Sequence, residues 1–155
     1  MRIEEHWMDL ALAEARQAAE ENEIPVGAVV IRDGALLGRG HNRTRALTDP
    51  TAHAEILAIT AACQAAGEDH LTGADIYVTL EPCAMCAGAI VLARFARLYF
   101  GAWDAKAGAC GSVIDVVREP RFNHRVEVYA GLLSEQAEEL LQEFFASLRS
   151  RKESA

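Results

Sequence analysis

The sequence predicts an α/β domain, a three-layer α/β/α sandwich built on a central five-stranded mixed sheet. Three observations carry that expectation. Stretches with apolar residues at helical spacing alternate along the chain with short runs rich in β-branched residues. An Asp33-Gly34 pair between the first two of those runs marks a tight hairpin and makes them antiparallel. A helical stretch separates the third and fourth runs, which makes them parallel through a right-handed crossover. All 155 residues read as one domain, 1–155, long enough to bury roughly two thirds of the surface its unfolded chain exposes.

From Ile3 to Glu21 the residues Ile3, Trp7, Leu10, Ala11, Ala15 and Ala18 recur at threes and fours among acidic and polar neighbours, the pattern of an amphipathic helix. Asn22 to Pro25 ends it. Val26 to Ile31 is a buried first strand, and Ala35 to Asn42 returns as the second, where Gly38 and Gly40 suggest a bulge or a close approach to a ligand. A polar loop follows to Thr51, with Asp49 or Thr51 as the cap of the next helix and Pro50 tolerated in its first turn. Ile56, Leu57, Ile59, Thr60 and Cys63 then carry this helix into the core until Gly67 stops it.

Ala74 to Leu80 is the third strand, and Pro82 opens a third helix with both thiols of Cys83 and Cys86 in its first turn. Ala87 to Ala93 is nearly all apolar, so that helix is expected to be buried on most sides. Arg97 to Gly101 is the fourth strand, 104–112 a loop of small residues, Val113 to Val117 a short helical piece, and Val126 to Tyr129 the fifth strand. The last helix runs from a Ser134 cap through Leu140, Leu141, Phe144 and Phe145 to Leu148.

Composition is that of an ordinary globular protein, 51% hydrophobic and 25% charged, with 4 prolines. The charged start, Met1-Arg2-Ile3-Glu4-Glu5, lacks the apolar core of a signal peptide, and the uncharged run from Pro82 to Ala93 is too short to span a bilayer. A cytoplasmic protein with no membrane partner is expected, with Cys63 and Cys110 as small buried thiols in a reducing compartment. A net charge of −8 argues against broad, non-specific nucleic-acid binding. The stretch from 86 to 125 reverses that sign and forms a modest basic face or an alternating solvated one.

The chemistry sits in two short segments, His53-Ala54-Glu55 and Glu81-Pro82-Cys83-Ala84-Met85-Cys86. One histidine and two cysteines are the number of ligands that a catalytic zinc takes from protein while its fourth position stays open to water; a structural zinc wants a fourth ligand. Glu55 is placed to move protons beside that open position. Taken alone, the Cys-x-x-Cys could be a redox pair and the His-Glu an ordinary polar pair. Their joint occurrence favours a zinc hydrolase, and an acid/base beside the metal opposes a zinc-stabilised protein without turnover.

His-x-Glu followed by Pro-Cys-x-x-Cys is the signature of zinc-dependent nucleobase deaminases. With Ile24-Pro25-Val26-Gly27-Ala28, 79–90, Asp104-Ala105-Lys106-Ala107-Gly108-Ala109 and Asn123-His124-Arg125-Val126-Glu127, the chain resembles the cytidine deaminase-like superfamily over nearly its whole length, and within it the bacterial tRNA-specific adenosine deaminases. That resemblance implies hydrolytic deamination of adenosine to inosine at the wobble position of a tRNA anticodon, chiefly an arginine tRNA. It implies one zinc per subunit on His53, Cys83 and Cys86, with Glu55 catalytic. Asn42, Val26 and Ala54 are expected to hold the flipped nucleotide, although Asn42 could instead cap its loop. Asp104 and Lys106 are expected to meet flanking nucleotides or to pair with each other. Phe144, Phe145, Arg149 and Arg151 are expected to stack on and neutralise the anticodon loop, although paired aromatics also serve a core. The resemblance further implies a homodimer, with the apolar third helix and its small Gly88 and Ala89 as a candidate interface. The rival enzymatic reading is a zinc deaminase of a free base or nucleoside such as guanine or cytosine.

Overall fold

The computed structural model describes residues 1–154; Ala155, the last residue of the expected domain, lies outside them. Helix α1 (Ile3–Glu20) leads into β1 (Gly27–Arg32) and β2 (Ala35–His41), followed by α2 (Ala54–Ala66), β3 (Asp75–Leu80), α3 (Ala84–Leu92), β4 (Arg97–Ala102), β5 (Glu127–Ala130) and α4 (Ser134–Ser154). The strands form one mixed sheet in the order β2-β1-β3-β4-β5. β1 is antiparallel to β2 and β3, and β3, β4 and β5 run parallel. Asp33 (φ 53°) and Gly34 (φ 73°) both take the positive dihedrals of the hairpin turn that the Asp-Gly pair announced.

The two sheet faces build two cores. Val29, Ile31 and Tyr77 point to α1 and α4, where they meet Met8, Leu12 and Ala137. Their strand neighbours Ala28, Val30, Ile76 and Val78 point the other way, onto Ala58 and Ala62 of α2 and Ala87 and Ile90 of α3. Period-two alternation over a doubly covered sheet gives the three expected layers.

Helix α2 turns inward a face that only partly matches the one read in the sequence: Ile59 and Cys63 do pack against the core, but they flank the buried face and do not form it. Its buried residues are Ala54, Glu55, Ala58 and Ala62, while Ile56, Leu57, Ile59 and Cys63 are half-buried and Thr60 is exposed. The reason lies in β2. A Cβ on Gly38 would stand 2.6 Å from both Ala58 O and Ala62 N, and one on Gly40 2.8 Å from Ala54 O and Ala58 N. These glycines bring a helix backbone, and not a ligand, against the strand, and only small residues fit between. The expected bulge is present beside them, where Val30 pairs with Gly38 and Ile31 with Leu36.

Several other expectations change. Neither Asp49 nor Thr51 caps α2, because the Asp49 carboxylate accepts from the backbone N–H (2.8 Å) and hydroxyl (2.7 Å) of Thr51 in a local turn that leaves Pro50 outside the helix. His53 is the N-cap residue. Likewise Cys83, and not Pro82, borders α3. From 87 to 93 that helix is buried on most sides as expected, with Ala87, Ile90, Val91 and Ala93 buried; Leu92, 73% exposed, is the exception. Val113 to Val117 is not helical; Asp115 instead forms an isolated antiparallel bridge with Cys110. Ser134 is the first residue of α4 and follows Leu133 at φ 53°, so it is inside the helix and does not flank it. Cys110 is buried as expected, whereas Cys63 is half-exposed.

Candidate metal centre and substrate pocket

Two helix starts meet at the site. His53 and Cys83 are the N-cap residues of α2 and α3, both with extended backbone, and Cys86 lies in the first turn of α3. Their ligand atoms all fall within 4.8 Å of one another, and among the described residues no other trio of His, Cys, Asp or Glu does so. His53 Nδ1 stands 3.6 Å from Cys83 Sγ and 3.4 Å from Cys86 Sγ. With zinc–sulfur bonds of about 2.3 Å and zinc–nitrogen bonds of about 2.0–2.1 Å, a tetrahedron has a nitrogen–sulfur edge of about 3.6 Å. Both nitrogen–sulfur distances match that edge, so the donor set suits one zinc.

The charges of the site follow from its hydrogen bonds. Cys86 and His53 both donate toward Cys83, which lowers its thiol to about 3 and makes it the thiolate of the pair. Cys86 is pushed well up by that same donated hydrogen bond and by burial. The bond to Cys83 raises His53. Glu55 stands outside the ligand trio, buried in the first turn of α2, and burial pushes its carboxyl up to about 7. A carboxyl titrating there takes and gives protons near neutral pH.

Beside these groups opens a cavity of about 230 Å³, lined by Ile24, Val26, Asn42, Thr44, His53, Ala54, Glu55, Leu80, Glu81, Cys83, Asp104 and Ala107. Asn42 is only 7% exposed; its Nδ2 donates to Ile24 O at 3.4 Å, and its buried Oδ1 has no partner. An orphaned acceptor in a pocket wall invites a donor from a ligand. Four residues expected from the sequence, Val26, Asn42, Ala54 and Asp104, thus come together with the metal-ligand set. Lys106 does not line the cavity and is exposed. Asp104 accepts from the backbone N–H groups of Lys106 and Ala107, both at 3.1 Å, so amides hold its turn in place of the side-chain ion pair considered above.

Phe144, Phe145, Arg149 and Arg151 also lie outside the cavity. The two phenylalanine rings meet edge-on at 5.5 Å on α4, with Phe145 40% exposed, and Arg149 is exposed. Arg151 donates to Ser147 Oγ (3.2 Å) and to Asn22 Oδ1 (3.0 Å), which fastens the end of α4 close to Ile24 on the pocket rim.

Two buried carboxylates escaped the reading of the sequence. Glu81, 2% exposed at the end of β3, accepts from the backbone N–H groups of Asp104 (2.9 Å), Cys110 (3.0 Å) and Ser112 (3.0 Å) and from the Ser112 hydroxyl. Burial alone would raise its carboxyl, but these donors outweigh it and hold it below its ordinary value. Glu81 therefore clamps the 104–112 loop over the metal ligands. Glu23, 1% exposed, accepts from the backbone N–H groups of Arg45 (3.1 Å) and Ala46 (2.8 Å). The signal for Glu81 was a lone acid closing an apolar strand; Glu23 sits in a short acidic connection and had none.

The chain matches the family model of the MafB19-like deaminases over residues 3–149. It is 51% identical over 144 residues, 93% of this chain and 95% of the relative, to the tRNA-specific adenosine deaminase of Agrobacterium fabrum. A solved structure from a study of A-to-I editing by tRNA:A34 deaminases at the wobble position superimposes with a TM-score of 0.85 at 52% identity, covering 88% of this chain and 99% of that one. The guanine deaminase of Nitrosomonas europaea superimposes with a TM-score of 0.77 at 28% identity, over 92% of this chain and 84% of that one. With the five-stranded mixed sheet and the His/Cys/Cys group in place, the chain is a deaminase with the cytidine deaminase-like fold and belongs to the tRNA-specific adenosine deaminase family.

Proposed function

We propose that this enzyme converts adenosine to inosine by hydrolysis at the wobble position of a tRNA, an arginine tRNA by the family pattern. The observation that carries the reading is the Glu55 carboxyl, buried and raised to about 7 by that burial, on the wall of a pocket that His53 and Cys83 also line, with Cys86 completing their trio from the buried side. When bound by those three residues, zinc supplies a Lewis acid that makes a water at its open position more acidic and more nucleophilic. Glu55 accepts the proton that the attacking water gives up and delivers it to N1 of the purine; it then takes the second proton from the oxygen now bonded to C6 and delivers it to the departing amine as the C6–N bond breaks. Ammonia leaves and inosine remains.

The other pocket residues bind and orient. Asn42 offers its unpaired Oδ1 to a donor of the nucleotide, with Nδ2 as a partly engaged donor. Val26 and Ala54 shape the apolar wall. Asp104 and Lys106, on the loop clamped by Glu81, meet the nucleotides beside the target. Phe144, Phe145, Arg149 and Arg151 of α4 stack on and neutralise more of the anticodon loop, with Arg151 already moored near the rim. The partner is a second copy of the chain as well as RNA: Met85 and Leu92 lie exposed on α3, where Gly88 leaves open space and a facing helix can come close. We assign the enzyme to the cytoplasm, where tRNA is modified; among the described residues no helix is long and apolar enough to cross a membrane.

A free-base substrate is the second reading, favoured by the likeness to a guanine deaminase and by the net charge of −8. Deamination of an anticodon stem-loop carrying adenosine at the wobble position, followed by mass spectrometry of its nucleosides, separates the two. Efficient conversion of the stem-loop with little or none of free adenosine, cytidine or guanine is expected, because contacts to flanking nucleotides supply positioning that a free base lacks. Comparable activity on free guanine would overturn the tRNA reading and leave the deaminase standing.

A further inference from the structure

The segment between Asn42 and His53 begins at one pocket residue and ends at a metal ligand, yet it has no regular secondary structure of its own. Its shape is over-determined all the same. Its amides close back on it, Leu47 N–H to Arg43 O at 3.0 Å and Asp49 N–H to Thr44 O at 3.0 Å. Thr48, a β-branched residue, is held at φ 50°, a conformation that costs energy and persists only where the surroundings impose it. The buried Glu23 carboxylate holds the same loop from the α1–β1 corner, one oxygen on each of two successive backbone amides, those of Arg45 and Ala46. Glu23 belongs to the corner between α1 and β1. Asn22 of that corner accepts from the Arg45 guanidinium at 3.3 Å through its carbonyl and from Arg151 at 3.0 Å through its side chain.

Burying a carboxylate is costly unless its acceptors are filled, and filling them here organises a surface loop and no part of either core. That cost has a use if the loop's shape is itself functional. Thr44 lines the cavity and the Arg45 guanidinium stands exposed just outside it, so the loop offers a polar and a cationic group where the chain beyond an inserted base would emerge.

We propose that Glu23 is a positioning residue for recognition of the nucleotides flanking the target: its carboxylate fixes the 43–49 loop so that Thr44 and Arg45 meet the phosphodiester backbone beside the base held in the pocket. The inference rests on the tRNA reading above. Glu23 touches neither substrate nor metal and acts through the two loop residues.

The test is a kinetic double-mutant cycle on the anticodon stem-loop. In Glu23→Gln an amide N–H faces a backbone N–H, one loop amide loses its acceptor, and the loop relaxes. KM is expected to rise about tenfold, with kcat within about twofold of wild type and zinc content unchanged. Arg45→Ala raises KM as well, and because both changes act on one contact, the double variant is no worse than the worse single one. Glu23→Asp, which keeps the buried charge but withdraws the carboxylate by one methylene from the Arg45 and Ala46 amides, gives the same split and decides the matter should Glu23→Gln not fold. A fall in kcat at constant KM, effects that multiply in the double variant, or an unchanged KM in a folded Glu23→Asp would each overturn the inference. If wild type leaves the stem-loop untouched, the tRNA reading falls and the flanking-nucleotide role falls with it, whereas active wild type with an unchanged variant overturns the Glu23 role alone.

Discussion

Deleting the Glu55 carboxylate separates two functions that share one pocket. Because Glu55 stands outside the ligand trio, Glu55→Ala is expected to fold, retain zinc and bind the stem-loop while inosine formation falls by about a hundred- to ten-thousand-fold. Metal analysis alongside a turnover assay checks this, and loss of zinc in that variant would make Glu55 a ligand instead. Cys83→Ala should behave oppositely. It removes the thiolate of the site and one tie between two helix starts, so zinc content and thermal stability should both drop. Full zinc occupancy in Cys83→Ala would refute the ligand assignment. At this scale the gathering of His53, Cys83 and Cys86, with Glu55 two residues past the histidine, was legible in the sequence because side-chain chemistry and spacing mark it. Glu23 and Glu81 were not, because their partners are backbone amides more than twenty residues away, and any residue type offers an amide.

The packing of α2 on β2 sets where His53 and Glu55 stand. An alanine at Gly40 would push its methyl to 2.8 Å from the α2 backbone, closer than atoms approach, so the helix must lift from the strand. Gly40→Ala is expected to destabilise the protein by about 1–3 kcal/mol in urea unfolding and to lower activity as the helix start shifts. Wild-type stability in that variant would mean the contact is looser than drawn. Periodicity found these elements and most of their ends to within a residue or two, but α4 runs on past the expected Leu148 to Ser154, and α2 begins at Ala54, beyond the expected cap at Asp49 or Thr51. It misjudged the inward face of α2, since hydrophobicity favoured Ile56 and Ile59 while the deciding factor was the space left by glycines on another strand. It also made Val113 to Val117 a helix, where loop pairing through Cys110 and Asp115 prevails over local propensity.

For the whole molecule, charge and exposed apolar surface point to two different partners. A chain of net charge −8 binds polyanions only through local cations, so stem-loop affinity should fall with salt along a shallow slope equivalent to a few phosphate contacts. Arg149→Ala with Arg151→Ala should flatten that slope further and leave zinc in place; an unchanged slope would remove α4 from the RNA interface. Leu92 is 73% exposed on α3, the face proposed above to meet a second copy of the chain. Sedimentation should show a dimer for the native chain and a monomer for Leu92→Glu, and a monomeric wild type would dismiss the α3 interface.

The strand order also dictates when the metal centre can exist. His53 follows the β1–β2 hairpin, a local structure that closes as soon as residues 27–41 are available, whereas Cys83 and Cys86 follow β3, which docks on β1 across the intervening helix α2. Such non-local pairing forms late, because the chain must first close a long loop. A chain folding in that order passes through an interval in which His53 does not yet have Cys83 and Cys86 beside it. Zinc added during that interval finds no pocket, and loading should follow the rate of β1–β3 docking and not the rate of metal diffusion.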